Sequence, residues 1–135
     1  MAVVYVAVAA FENSVRKLIR DVLLEKDGEQ WWQNCVSDKI RTRAESRREE
    51  EEKVKWHAQR GESPLNYTEL ADLANIIRNN WPRFEPYIPS IEWASSIFSV
   101  LERSRNVIMH SGQLGRQDVE RVGINIRDWI SQVGV

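Results

Sequence analysis

Ser90-Ile91-Glu92-Trp93-Ala94-Ser95-Ser96-Ile97-Phe98-Ser99-Val100-Leu101-Glu102-Arg103-Ser104-Arg105-Asn106-Val107-Ile108-Met109-His110 decides how this chain folds. Ile91, Ala94, Phe98, Leu101 and Ile108 recur at helical spacing, so one face of the segment is apolar. Ser90 suits an N-cap and Glu92 falls in the first turn, where negative charge is favoured. Ser111-Gly112 supplies the stop. Extending the stripe by four residues lands on Arg105, so a guanidinium points towards packed surface at a bundle or subunit boundary. Burying such a charge is costly unless something pairs with it. Asn106 and His110 are one turn apart and share a face, with Glu102 one turn earlier. On an ideal helix Arg105 and His110 are separated by about 140°. They meet on one substrate only if the helix end unwinds or a second subunit completes the site.

The flanking segments are helical too. Val4, Val8, Phe11, Val15, Leu18 and Val22, widened by Ile19 and Leu23, predict a long helix over about 3–26, ended near Asp27-Gly28. A second helix is expected over about 29–59. Its middle is dense in opposite charges at i,i+4, such as Arg41/Glu45, Arg47/Glu51 and Arg48/Glu52. This reads as a solvated helical arm. A sharper reading lets Lys39, Arg41, Arg43, Arg47 and Arg48 track a phosphate backbone, although Glu49, Glu50, Glu51 and Glu52 would repel it. After a loop at Gly61-Glu62-Ser63-Pro64, Asn66-x-x-Glu69 resembles a capping box for a short helix over about 67–80. Pro82, Pro86 and Pro89 break the chain. A last helix over about 116–133 turns Val119, Val122, Ile126, Trp129 and Ile130 inward. No strand or repeat is evident. The fold class is all-α, a bundle of about five helices with a long charged arm.

The 135 residues suffice for one domain with a respectable core. With 42% hydrophobic residues and a mean hydropathy of −0.49, the chain reads as soluble and globular. A net charge of −1 gives no global basic field, so any nucleic-acid contact must come from local patches. The single cysteine, Cys35, excludes an intramolecular disulfide and fits a reducing cytoplasm. The apolar start lacks a basic flank and reads as helix, not signal peptide. No run is long enough to span a membrane. Structured sequence from the first residues, and a last helix that stops near the end, suggest a piece of a longer protein. Trp31-Trp32 is expected in the core, or else as an anchor for a partner. His57 is expected at the surface. No Gly-rich phosphate loop and no Cys/His cluster is present, so neither cofactor nor metal is expected.

Tyr67-x-x-Leu70-x-x-Leu73, Ile77, Asn80-Trp81-x-x-Phe84, Trp93 and Leu101-x-x-x-Arg105-Asn106-x-x-x-His110 together resemble the Swt1-type branch of the HEPN superfamily. The likeness covers about 67–132. On that likeness, residues 1–135 form a single HEPN-like domain, with two long helices in 1–60 and the motif-bearing helices in 61–135. The resemblance implies a homodimer whose paired Arg/His sets face each other across a cleft. It also implies fusion or association with ATPase, helicase, methyltransferase or nuclease domains in RNA processing and phage defence. Arg105 would then stabilise phosphate charge, His110 would be the acid/base and Asn106 would orient. Glu102 is a further candidate, for polarising Arg105 or His110.

The residue types suit metal-independent RNA cleavage. A base takes the proton of a ribose 2′-OH, which attacks the adjacent phosphate, and an acid protonates the leaving 5′-oxygen. Histidine is the natural acid/base near neutrality, and arginine offers permanent charge with forked donors. The products would carry 2′,3′-cyclic phosphate and 5′-hydroxyl ends. The rival reading is a non-catalytic dimerisation or regulatory module of a larger ATPase, helicase or defence protein. In that case Arg105 caps carbonyls and His110 fills the last helical turn. A third reading is nucleotide binding in the dimer cleft.

Overall fold

The computed structural model describes residues 2–54, 61 and 63–134. Its α-helices are α1 (Ala2–Asp27), α2 (Trp31–Cys35), α3 (Asp38–Glu52), α4 (Leu70–Asn79), α5 (Trp81–Phe84), α6 (Ile91–Ser111) and α7 (Arg116–Val133), with no strand among the described residues. The central element is α1, which packs against α2, α4, α5, α6 and α7. Its stripe of Val4, Val8, Phe11, Val15, Ile19, Val22 and Leu23 is buried throughout. Gly28, in left-handed conformation at φ 73°, follows its end.

The helix expected over 29–59 is interrupted. A 3-10 turn, Gly28–Gln30, leads into α2, and Val36 is then extended at φ −107°, ψ 134°. The Ser37 hydroxyl accepts from the Ile40 N–H at 3.4 Å and starts α3. Ser37-Asp38 is therefore an N-cap inside what reads as continuous charged helix, because a local side-chain bond competes with helix propagation. Trp56 and His57 lie outside the described residues.

The charged arm is docked along its basic side. Ile40 and Ala44 are buried. Arg43 reaches Asp72 of α4 at 2.5 Å, and Arg47 donates to the Tyr67 carbonyl at 2.7 Å. Arg41 pairs with Asp38 and donates to the Val36 carbonyl, and Arg48 pairs with Glu52. These guanidiniums are held within the chain, which removes the support for reading them as a phosphate track. Trp31 and Trp32 are both buried, and the Trp32 indole donates to Glu45 at 3.1 Å. They are core residues, so the partner-anchor reading does not apply.

The helix expected from residue 67 starts later. Asn66 belongs to a 3-10 turn, Pro64–Tyr67, and Glu69 is the N-cap of α4. The Glu69 N–H donates to Asp72 Oδ2 at 3.0 Å, so the box is Glu69-x-x-Asp72. Ser90 caps α6 as expected, accepting from the Trp93 N–H at 3.0 Å. Gly112, at φ 77°, ends it.

Trp129 of α7 is fully buried at the junction of α1, α6 and α7. Phe11 and Phe98 meet its ring at centroid distances of 5.6 and 5.4 Å, and Trp93 stacks on it at 5.7 Å. Ile130 is exposed rather than inward, since α7 buries only Val122 and Trp129 fully. A polar knot closes the other end. Cys35 Sγ donates to Asp27 at 2.7 Å, and Arg83 pairs with the same carboxylate at 2.8 Å. Burial, then the Asp27 carboxylate, pushes the Cys35 thiol up to about 11. No helix among the described residues is long and apolar enough to cross a membrane.

Candidate functional site

α6 is continuous from Ile91 to Ser111, so Arg105 and His110 keep their helical separation and the helix end does not unwind between them. Two different depressions result. Glu102, Asn106 and His110 line an open groove of about 530 Å³ together with Arg103 and Ser111. Arg105 lies on the other flank, in a polar recess of about 470 Å³ between α1, α6 and the turn that precedes α4. Within one chain the structure brings Glu102, Asn106 and His110 together and leaves Arg105 apart.

The groove is open to solvent. His110 and Asn106 are exposed, and no hydrogen bond joins them among the described residues. Beside them Val107 and Met109 expose apolar surface, Met109 to 62%. The Ser111 hydroxyl donates to the Val107 carbonyl at 2.8 Å and helps close the last turn. Glu102 forms no ion pair with Arg105 or His110 among the described residues. Its position one turn before Asn106 keeps it on the groove side.

Glu12 of α1 is the carboxylate beside Arg105. Arg105 Nη1 lies 3.7 Å from Glu12 Oε1, while Glu12 Oε2 accepts from Arg16 at 3.3 Å. Arg16 also donates to the Thr68 carbonyl at 2.6 Å, which pins the chain entering α4 to α1. Glu12 is buried to 8% exposure, and Oε1 has no hydrogen-bond partner. The sequence reading missed Glu12 and Arg16. The available signal was a carboxylate at position 12, directly after Phe11 on the apolar stripe, followed one turn later by a cation. A charge beside a buried stripe needs a partner, and only the fold shows that Arg105 is one.

The arrangement offers two chemistries. On one flank an imidazole and an amide stand open beside apolar surface. On the other, an arginine sits with a buried carboxylate in a polar recess. Among the described residues no group of three or more His, Cys, Asp or Glu side chains is placed to hold a metal ion.

Neither the curated proteins nor the solved structures include a match to this chain. A family model does match, described as Swt1-like HEPN, over residues 7–134. That span takes in the helices before residue 60 as well as the motif of α6. HEPN domains are in general ribonucleases or nucleotide-binding modules, and they commonly dimerise. A helical bundle that matches this family over nearly its whole length, with Arg105, Asn106 and His110 on its penultimate helix, belongs to the Swt1-like HEPN family.

Proposed function

We propose that the chain is a dimeric, metal-independent endoribonuclease in which Arg105 of one copy and His110 of another converge on one phosphate. The observation that carries this reading is the geometry of α6. An unbroken helix holds the two groups on opposite flanks, so a site that uses both needs a second molecule. Exposed Val107 and Met109 beside His110 are side chains that a second copy would cover. In such a site the His110 imidazole takes the 2′-OH proton and, as the imidazolium, gives a proton to the departing 5′-oxygen. Arg105 stabilises the charge that builds on the phosphate, and Asn106 orients the imidazole or a phosphate oxygen.

The test is RNA cleavage by the purified chain in EDTA, beside His110→Ala, with analysis of the product ends. Cleavage to 2′,3′-cyclic phosphate and 5′-hydroxyl ends, lost in the variant, is the expected result. No cleavage of tRNA, mRNA or rRNA by a folded dimer would refute the proposal for the isolated chain. It would favour a non-catalytic module joined to an ATPase, helicase or defence protein. One observation favours that second reading: Arg105 already has a carboxylate beside it within its own chain.

A further inference from the structure

We propose that the recess beside Arg105 is a nucleobase subsite that reads one unpaired base of the RNA, with guanine as its best occupant. The inference rests on the ribonuclease reading and adds a substrate preference to it. Its starting point is Glu12 Oε1, an acceptor on a side chain nine-tenths buried, which has no hydrogen-bond donor and lines the recess. Arg105 at 3.7 Å is near enough to attract it and too far to donate a hydrogen bond. Leaving a buried carboxylate oxygen without donors is costly, so the site is completed by a ligand that brings N–H groups.

The edges of the four bases differ as partners for a carboxylate. Guanine sets its N1–H and N2–H side by side, two donors aimed the same way. Glu12 Oε1, buried and without a donor, would take one, and Oε2 has a second lone pair beyond its bond to Arg16. Adenine and cytosine each present one amino group next to a ring acceptor. Uracil flanks its single imino N–H with two carbonyls, which would face the carboxylate and be repelled. Asn66 lines the same recess, with no side-chain hydrogen bond among the described residues, and its amide is a donor for guanine O6. Tyr5 stands at the rim, 43% exposed, and offers an aromatic face for stacking. Arg105 borders the recess on the α6 side, so a base held there places its own phosphate against the guanidinium. The subsite therefore selects which phosphate is presented for cleavage.

The experiment measures binding of fluorescent single-stranded oligouridylates that carry one central guanine, inosine, adenine or no replacement. The protein is the full chain carrying His110→Ala, which keeps the RNA intact. One guanine is expected to tighten binding about tenfold over all-uridine RNA, the scale of one bidentate base contact. Inosine, which lacks the N2 amine, should fall between. Glu12→Gln in the same background should erase the difference, and a thermal melt checks that this near-isosteric variant is folded. Equal affinity for every base would overturn the subsite and leave the ribonuclease reading standing. If Glu12→Gln weakened all four RNAs alike, Glu12 would be only a positioning residue for Arg105, and the subsite would again fall. Failure of the folded chain to bind any of these RNAs would remove the ribonuclease reading, and the subsite with it. The inosine series uses unaltered Glu12, so the outcome does not depend on the variant folding.

Discussion

Replacing Asp72 by alanine should unfasten the charged arm from the motif-bearing helices. Asp72 Oδ1 accepts from Arg43 at 2.5 Å, and Oδ2 accepts from the Glu69 N–H at 3.0 Å and faces Arg47 at 3.5 Å. The carboxylate is buried, but the Arg43 side chain is 43% exposed and can turn to water. Its ion pair is therefore discounted to about 1 kcal/mol. The lost bond to the N-cap residue adds about 1 kcal/mol. The longer Arg47 contact adds roughly 0.5 kcal/mol, because Arg47 keeps the Tyr67 carbonyl. The sum is about 2.5 kcal/mol, or a fall in Tm of roughly 8–12 °C for a domain of this size. Urea unfolding followed by far-UV circular dichroism measures it. Asp72→Asn retains an acceptor for the Glu69 N–H and should cost about half as much. An Asp72→Ala loss under about 0.5 kcal/mol, the range of an ordinary surface change, would refute the view that this carboxylate holds the arm. So would Asp72→Asn being as costly as Asp72→Ala.

Three further outcomes follow from the same geometry. Trp129→Ala should destabilise by about 3–5 kcal/mol, since Trp129 is fully buried among Phe11, Phe98 and Trp93. Trp129→Phe should cost much less, because the indole N–H it removes has no partner; urea midpoints compare the two. In a dimer with composite sites, Arg105→Ala and His110→Ala proteins mixed and re-associated should regain about a quarter of wild-type cleavage, since half the dimers are mixed and each has one complete site. Sites built within single chains would regain none. Iodoacetamide should label Cys35 slowly at neutral pH, with a rate that climbs towards pH 11, because its thiol is held up to about 11. The folded state keeps that proton where the unfolded chain releases it. Stability should therefore fall between about pH 9 and pH 11, visible as a drop in Tm that Cys35→Ser abolishes.

Much of the fold is legible in the pattern of apolar residues. The long stripes of α1 and α6 have helical period, good stops in Gly28 and Gly112, and a good start in Ser90, so local and tertiary preferences agree. The misread places are those where two local signals compete. Ser37-Asp38 breaks the second helix just ahead of a run rich in Arg and Glu that reads as continuous with it, and Glu69-x-x-Asp72 outcompetes Asn66-x-x-Glu69 because Arg43 and Arg47, from a distant helix, stabilise the Asp72 carboxylate. Ile130 follows Trp129 by one residue and is turned about 100° away from the stripe of Val122, Ile126, Trp129 and Val133 that meets the core. The angular split of Arg105 and His110 follows from their spacing alone. Glu12 does not, because its meaning depends on α1 lying against α6, a contact between residues far apart in the chain.

The rigidity of α6 has a consequence for dosage. A chain that carries its cation and its imidazole on opposite flanks of one unbroken helix cannot assemble the proposed site alone. Below the dissociation constant of the dimer, cleavage would rise with the square of protein concentration and not in proportion to it. Low-level leakage of such a protein would be nearly harmless to a cell's RNA. A modest rise in local concentration, through clustering on a scaffold or tethering to a multimeric partner, would act as the trigger.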